Sequence, residues 1–302
     1  MKKATLLCMI VALGTVWGLH FSLMKMAGRS EISFPSLSLV LLVCNALMFY
    51  AFCKTRYGKI RIVKKMWWFY LGCGVLGYLI PFYFEMIAAP KIGAGNLAIV
   101  VSITPLLTMG VAFLARIEKI SLRRACGIFV GFFAILPIIV RSHVEYSSDS
   151  FLGIGMALVI PLTYALYHNF IGKFWPDELE ASEVSFGETL AALIIMSPIY
   201  ISQIGSSGNA LSNLIGHCFI FALVIASALE VILYFYIVRM GGPVFVSQAS
   251  YITVISGLIW GYFLFDETVN VYGIVGAAGV IGGLWLVSSN EEADEQQDVI
   301  AP

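Results

Sequence analysis

Long apolar runs separated by short polar connections extend over most of the chain. Each run has about 20 residues, the length that a helix needs to cross about 30 Å of hydrocarbon. Helices are predicted because the runs are longer than strands, and open strands leave backbone groups unpaired in lipid. The ten predicted spans are 4–27, 35–53, 66–88, 93–115, 123–141, 151–172, 181–202, 215–238, 244–265 and 270–288.

Composition agrees with a membrane location. Hydrophobic residues make up 60% of the 302 positions and charged residues only 12%, about half the charge of a soluble domain. No basic stripe indicates a nucleic-acid partner. The six cysteines lie in or beside apolar runs without CxxC spacing, so they read as buried apolar residues rather than disulfides or metal ligands. Lys2 and Lys3 precede a run without a cleavage motif, and we interpret it as a retained first span.

The positions of lysine and arginine set an orientation. If the amino terminus is cytoplasmic and the spans alternate, fourteen of the eighteen Lys and Arg residues fall on the cytoplasmic side, as the positive-inside rule requires. Both termini are then cytoplasmic, and residues 290–302 form an acidic tail. We expect the plasma membrane, in a bacterium the inner membrane, as the location.

An internal duplication is suggested by two matching stretches. Glu118 and Gly127 are nine residues apart, as are Glu267 and Gly276, and the second pair follows 149 positions after the first. Five spans per half place the second copy upside down, so we predict an all-α integral membrane protein with ten transmembrane helices in two inverted five-helix repeats. The predicted units are 1–141 and 142–289. Inverted repeats are typical of secondary transporters, which bind cargo near mid-membrane.

Two carboxylates, Glu85 and Glu230, fall inside the corresponding third and eighth spans. An ionised carboxylate at the centre of a bilayer costs roughly 2.5–3.5 kcal/mol on insertion scales, so both are expected to face the bundle interior. They would bind a proton or a substrate ammonium group. A structural ion pair is the alternative, and it is strongest for Glu85, near Lys91. Glu188 follows a polar stretch, and an interfacial position is expected for it.

Aromatic and imidazole side chains recur at helical spacing near these carboxylates. A pocket built from them would suit amphipathic metabolites. Interfacial belts and helix packing are the alternatives, and a histidine can also simply bond a neighbouring helix. The candidate substrate- or proton-binding residues are Trp17, His20, Glu85, Asn96, Tyr164, His168, Glu230, Tyr234 and Tyr251.

Small residues predict close contact between the fifth and tenth helices. Gly127 and Gly131 are four apart, and so are Gly279 and Gly283, a spacing that lets helices approach closely. The contact could lie within one chain or between two copies, so a homodimer is possible.

The order and spacing of several residues resemble the drug/metabolite transporter superfamily, in particular ten-span members with two EamA domains. The residues concerned are Trp17-Gly18, Pro105, Glu118, Gly127, Gly242-Pro243, Tyr251, Glu267 and Gly276. The glutamate usually follows Leu-Gly in such proteins, whereas Ile117 and Asp266 replace that glycine here. The resemblance implies a secondary transporter without a cofactor, often an exporter of small metabolites, with Glu118 and Glu267 in structural roles.

The sequence therefore predicts a secondary-active transporter of small amphipathic metabolites such as amino acids. Its partners would be a small-molecule substrate and the lipid bilayer, and coupling to protons is possible. A membrane enzyme would need a clustered His, Asp or Ser set at one membrane face, and a scaffold or receptor would need large soluble loops. The sequence has neither.

Overall fold

A computed structural model describes residues 3–30, 32–117, 121–141, 148–203 and 218–266, with single positions at 275, 278–279, 282–283 and 286. Glu118, Glu267, Gly276 and the acidic tail lie outside these residues. The regular structure of the described chain is helical throughout, so the all-α prediction holds there. The α-helices are α1 (Lys3–Arg29), α2 (Phe34–Tyr57), α3 (Trp67–Cys73), α4 (Ile80–Ile92), α5 (Ala94–Val101), α6 (Thr104–Leu114), α7 (Leu122–Arg141), α8 (Ser148–Ala157), α9 (Val159–Phe174), α10 (Ala181–Gln203), α11 (Cys218–Ser247) and α12 (Ala249–Phe265).

Seven helical stretches of the described chain are long and apolar enough to cross a membrane, and α12 and the 125–134 segment of α7 are shorter apolar helices. These nine stretches coincide with the first nine predicted spans. The tenth, 270–288, is largely outside the described residues, so the count of ten stays a prediction. Large apolar side chains such as Leu114, Leu122 and Phe221 are exposed on the outer surface, as expected where lipid is the solvent.

The third span is not a continuous α-helix. It begins with a 3₁₀ turn at Lys64–Met66, continues as α3, widens into a π-helical segment at Gly74–Leu79 and returns to α geometry in α4. Such wide turns are rare and are found frequently at functional sites. Here the segment turns Gly77 and Tyr78 towards the interior cavity described below.

Two glycines interrupt helices at corresponding places. Gly93 (φ 87°, ψ 153°) separates α4 from α5, and Gly242 (φ 77°, ψ 173°) breaks α11 just before Pro243. This backbone region is open essentially to glycine alone. The two positions are 149 residues apart, the offset already seen between Glu118 and Glu267.

Helix α1 lies at the centre of the bundle. It packs most closely against α12 and α11, and then against α4. Gly18 of α1 makes the approach to α12 possible, because a Cβ at that position would lie 2.7 Å from the Gly257 nitrogen and would overlap Ser256. This central placement brings polar residues of α1 against those of α4 and α11.

The predicted contact between the fifth and tenth helices is present within the chain. A Cβ on Gly283 would lie 2.7 Å from the Gly127 carbonyl oxygen and from the Gly131 nitrogen, and one on Gly279 would overlap Ala134. Since these glycines contact each other inside one chain, they do not by themselves provide a surface for a second copy.

Candidate functional site

An imidazole between two carboxylates forms the centre of the bundle. His20 Nε2 lies 3.1 Å from Glu85 Oε2, and His20 Nδ1 lies 3.1 Å from Glu230 Oε1. The first contact has hydrogen-bond geometry, whereas the second is close without the alignment of a hydrogen bond. The three residues come from α1, α4 and α11 and are between 0% and 4% exposed. We call this group the acidic triad.

Tyr164 of α9 joins the triad from the second half of the chain. Its hydroxyl donates a hydrogen bond to Glu85 Oε1 at 2.8 Å, and its ring stacks on Trp17 with 5.9 Å between centroids. Glu85 therefore receives two directed contacts, one from the imidazole and one from the phenol. These contacts offset part of the cost of burying a carboxylate.

A second polar network lies beside the triad. His168 Nδ1 is 2.8 Å from the Tyr234 hydroxyl, and the Tyr167 hydroxyl donates to Glu188 Oε1 at 2.7 Å. The rings of Tyr167 and Tyr234 stack at 5.0 Å. His168 and Glu188 are both buried, at 0% and 1% exposure.

A cavity of about 30 Å³ lies between the two networks. That volume corresponds to about one water molecule. Several buried atoms around it have no hydrogen-bond partner in the described chain, among them Tyr78 Oη, His168 Nε2, Glu188 Oε2 and Glu230 Oε2. Unpaired polar atoms in a buried wall favour a polar occupant. The lining residues are Trp17, Gly77, Tyr78, Phe82, Tyr164, Tyr167, His168, Glu188, Glu230, Val231 and Tyr234.

A larger cavity of about 650 Å³, here called the vestibule, opens at the ends of the same helices α9 and α11. It is within the volume range of small-molecule sites. Gly172 and Val238, which line it, each lie one helical turn beyond His168 and Tyr234. Its lining is Ile117, Ile171, Gly172, Trp175, Asp177, Val238, Arg239, Gly241, Gly242 and Pro243.

Seven of the nine candidate residues fall in one cluster, and two do not. Asn96 uses its side-chain amide to bond the Ile92 carbonyl at 2.7 Å, at the start of α5. Tyr251 is fully buried, and its hydroxyl bonds the Ile128 carbonyl at 2.7 Å, where it packs against Gly131. Because both side chains hold neighbouring helices and neither lines the cavity, the structure does not support them as binding residues.

Glu188 was placed at the interface by the sequence, and that placement is wrong, since the structure buries the residue against the cavity. Tyr167 and Tyr78 were also missed. The position of Glu188, seven residues after the start of α10, could have indicated its burial. A glutamate on the outer surface at that depth would face lipid, which is costly. The role of Tyr167 could not be predicted from its own helix, because its ring fills the space that Gly77 leaves on a different helix.

Among the described residues, no group of three or more His, Cys, Asp or Glu side chains is arranged to hold a metal ion. The cysteines there are unpaired thiols. The groups that remain for chemistry at the cavity are carboxylates, imidazoles and phenols. These can exchange protons and bind a cation.

Apolar helices around a charged interior define an integral membrane protein of the transporter class. The chain belongs to the EamA-like transporter family, whose model matches residues 4–140 and 151–289, and so to the drug/metabolite transporter superfamily. A protein of Archaeoglobus fulgidus described as an uncharacterized transporter is 23% identical over 95% of this chain and 99% of its own length. A solved structure whose description reads "Crystal structure of protein" matches this chain with a TM-score of 0.66 at 14% sequence identity. The match covers 95% of this chain and 98% of that one, and it supports the fold.

Proposed function

We propose that this membrane transporter exports small amphipathic metabolites, such as amino acids, by alternating access driven by protons. The observation that carries the proposal is the acidic triad, in which His20 lies between carboxylates from two other helices. Three ionisable groups at such distances bind and release protons as a unit. Intramembrane carboxylates and histidines commonly form proton relays.

The triad joins parts that alternating access would move. Glu85 belongs to the first matched segment and Glu230 to the second, and His20 contacts both. A change in protonation would alter the attraction between α1, α4 and α11 together. Proton binding can therefore bias the equilibrium between two arrangements of the bundle.

Flux measurements in proteoliposomes test this proposal. The purified chain is reconstituted, and uptake of labelled metabolites from a broad panel is followed with and without an imposed pH gradient. We expect a gradient-dependent flux that Glu230→Gln abolishes while facilitated exchange of cargo remains. Glu178→Gln, which changes an exposed carboxylate, is the matched control. Absence of flux for the whole panel would refute transport, and unchanged coupling in Glu230→Gln would remove that residue from the proton site.

We further propose that the chain forms two inverted repeats in a bacterial inner membrane. Both termini would then lie on the cytoplasmic side. Three pairs of features support it through nearly equal offsets: Gly93 with Gly242 and Glu118 with Glu267 at 149, and His20 with His168 at 148. Single cysteines at positions 118–120 and 267–269, where the sequence predicts connections between spans, should be labelled by a membrane-impermeant thiol reagent from opposite sides. Labelling from the same side contradicts inversion.

Cross-linking in native membranes would test for a homodimer.

A further inference from the structure

Glu188 has a free carboxylate oxygen at the cavity. Its Oε1 accepts a hydrogen bond from Tyr167, whereas Oε2 has no hydrogen-bond partner in the described chain. The residue is 1% exposed, so the uncompensated oxygen does not face bulk water. A buried carboxylate in this condition is stabilised by a cation or a strong donor placed against it.

The charged groups around the cavity favour a positive occupant. Glu188 and Glu230 line it, and no lysine or arginine lies among its described lining residues. His20 is already held between Glu85 and Glu230, and His168 Nδ1 contacts Tyr234. An anion placed here would meet two carboxylates, while a cation would meet oxygen atoms without donors.

Aromatic faces add to this preference. Tyr167 stacks on Tyr234 and Trp17 stacks on Tyr164, and all four residues line the cavity together with Glu188. Electron-rich ring faces attract an organic cation, by about 0.5–2 kcal/mol per contact. The same rings provide an apolar surface for the rest of an amphipathic molecule.

The cavity volume specifies the size of the group. About 30 Å³ accommodates a single ammonium group, and the vestibule of about 650 Å³ can hold a whole small molecule. Both cavities are lined by α9 and α11. The small cavity therefore fits the amine group, and the vestibule on the same helices fits a whole small cargo molecule.

We propose that Glu188 is the ammonium-binding residue of the cargo site and that, among the proposed small metabolites, organic amines without a carboxylate are the preferred cargo. This inference rests on the transport function proposed above and names its substrate class. It separates two roles: the acidic triad binds the proton, and Glu188 with Tyr167 binds the cargo. Within the metabolite class, amines are then preferred over the corresponding amino acids.

Three probes of similar size and different charge test the assignment: 2-phenylethylamine, phenylalanine and 3-phenylpropionate. Binding to the purified full-length chain in detergent is measured by calorimetry and by the shift in melting temperature. We expect the amine to bind at least about tenfold more tightly than the carboxylate, with phenylalanine between them. Glu188→Gln should remove this preference, and Tyr167→Phe should reduce it by a smaller factor. Glu178→Gln should retain it.

The outcomes separate this inference from the transport proposal. Equal binding of amine and carboxylate by the wild-type chain, or no binding of the amine up to its solubility limit, overturns the ammonium site. An unchanged preference in a folded Glu188→Gln protein does the same. Should that variant fail to fold, the wild-type comparison and Tyr167→Phe still decide. Charge-selective binding without flux in proteoliposomes would refute transport and leave the ammonium site standing, whereas flux without charge selectivity would refute only the site.

Discussion

The two buried histidines occupy corresponding places in the matched segments, but their surroundings differ. His20 and His168 are 148 positions apart, and their partners Glu85 and Tyr234 are 149 apart. In the first segment the imidazole contacts a carboxylate and lies against a second one, Glu230. In the second segment the imidazole contacts a phenol, 2.8 Å away.

The two matched segments carry a carboxylate, Glu85, and a phenol, Tyr234, at corresponding positions, and these two groups differ in their chemistry. The Glu85 position carries a carboxyl group, which is a far stronger acid in water than the phenol at the Tyr234 position. The phenol still provides a hydrogen bond and an aromatic face. Under the proposed proton coupling, proton exchange would be concentrated around His20, and His168 would have a positioning role.

The largest expected effect comes from replacing His20 by glutamine, and the same replacement of His168 is the comparison. His20→Gln removes the imidazole that lies between two buried carboxylates, and we expect it to lower the free energy of unfolding by about 3–5 kcal/mol. His168→Gln keeps a side chain that can bond Tyr234, so a loss of about 0.5–1.5 kcal/mol is expected. Unfolding titrations of both variants in mixed detergent give the two values. Equal losses would contradict the division of roles.

Crossing helices provide a second comparison between the segments. Helices α1 and α12 approach through Gly18 and Ser256, whereas α9 and α6 are joined by a hydrogen bond from Asn169 to the Thr108 carbonyl at 3.1 Å. Gly18→Ala forces a methyl group into the first crossing and should cost about 1–3 kcal/mol. Gly110→Ala, which has no neighbour within 4 Å of the new methyl, is the control and should be neutral or slightly stabilising. Melting temperatures compare the two, and a similar drop in both would mean that the first crossing is not tightly packed.

Substitution of the glycine at each helix break should lower stability by a similar amount if the two matched segments have the same backbone conformation there. Gly93→Ala and Gly242→Ala each place a Cβ in a conformation with positive φ, and each should cost about 1–3 kcal/mol. Thermal unfolding of the two single variants measures the effect. A loss at only one position would show that the two breaks are not equivalent.

The smallest effect is expected at a polar contact that the segments do not share. Asn45 and Ser227 exchange hydrogen bonds of 2.9 and 3.3 Å between α2 and α11, while Leu193 and Tyr78, at offsets of 148 and 149, belong to an apolar cluster. A double-mutant cycle with Asn45→Ala and Ser227→Ala should give a coupling of about 0.6 kcal/mol. A coupling near zero would show that the contact adds no specific stability.

Sequence reasoning recovered the helices because hydrophobic length decides them with little help from tertiary structure. It also predicted that Glu85 and Glu230 face the bundle interior, where the structure places them, because an ionised carboxylate within an apolar run is costly in lipid. It did not predict the hydrogen bonds of Asn96 to Ile92 and of Tyr251 to Ile128, which place both side chains away from the cavity, because these bonds depend on how the local backbone and the neighbouring helices meet. The spacing along one helix cannot reveal which partner a polar side chain will find.

The vestibule and the small cavity are both lined by α9 and α11. Gly172 and Val238 of the vestibule each lie one helical turn, about 5.4 Å, along the helix from His168 and Tyr234 of the small cavity. Ile171 and Val238, which line the vestibule on these two helices, are buried apolar side chains. In the proposed transport cycle, their size would set how tightly the vestibule is sealed from the small cavity.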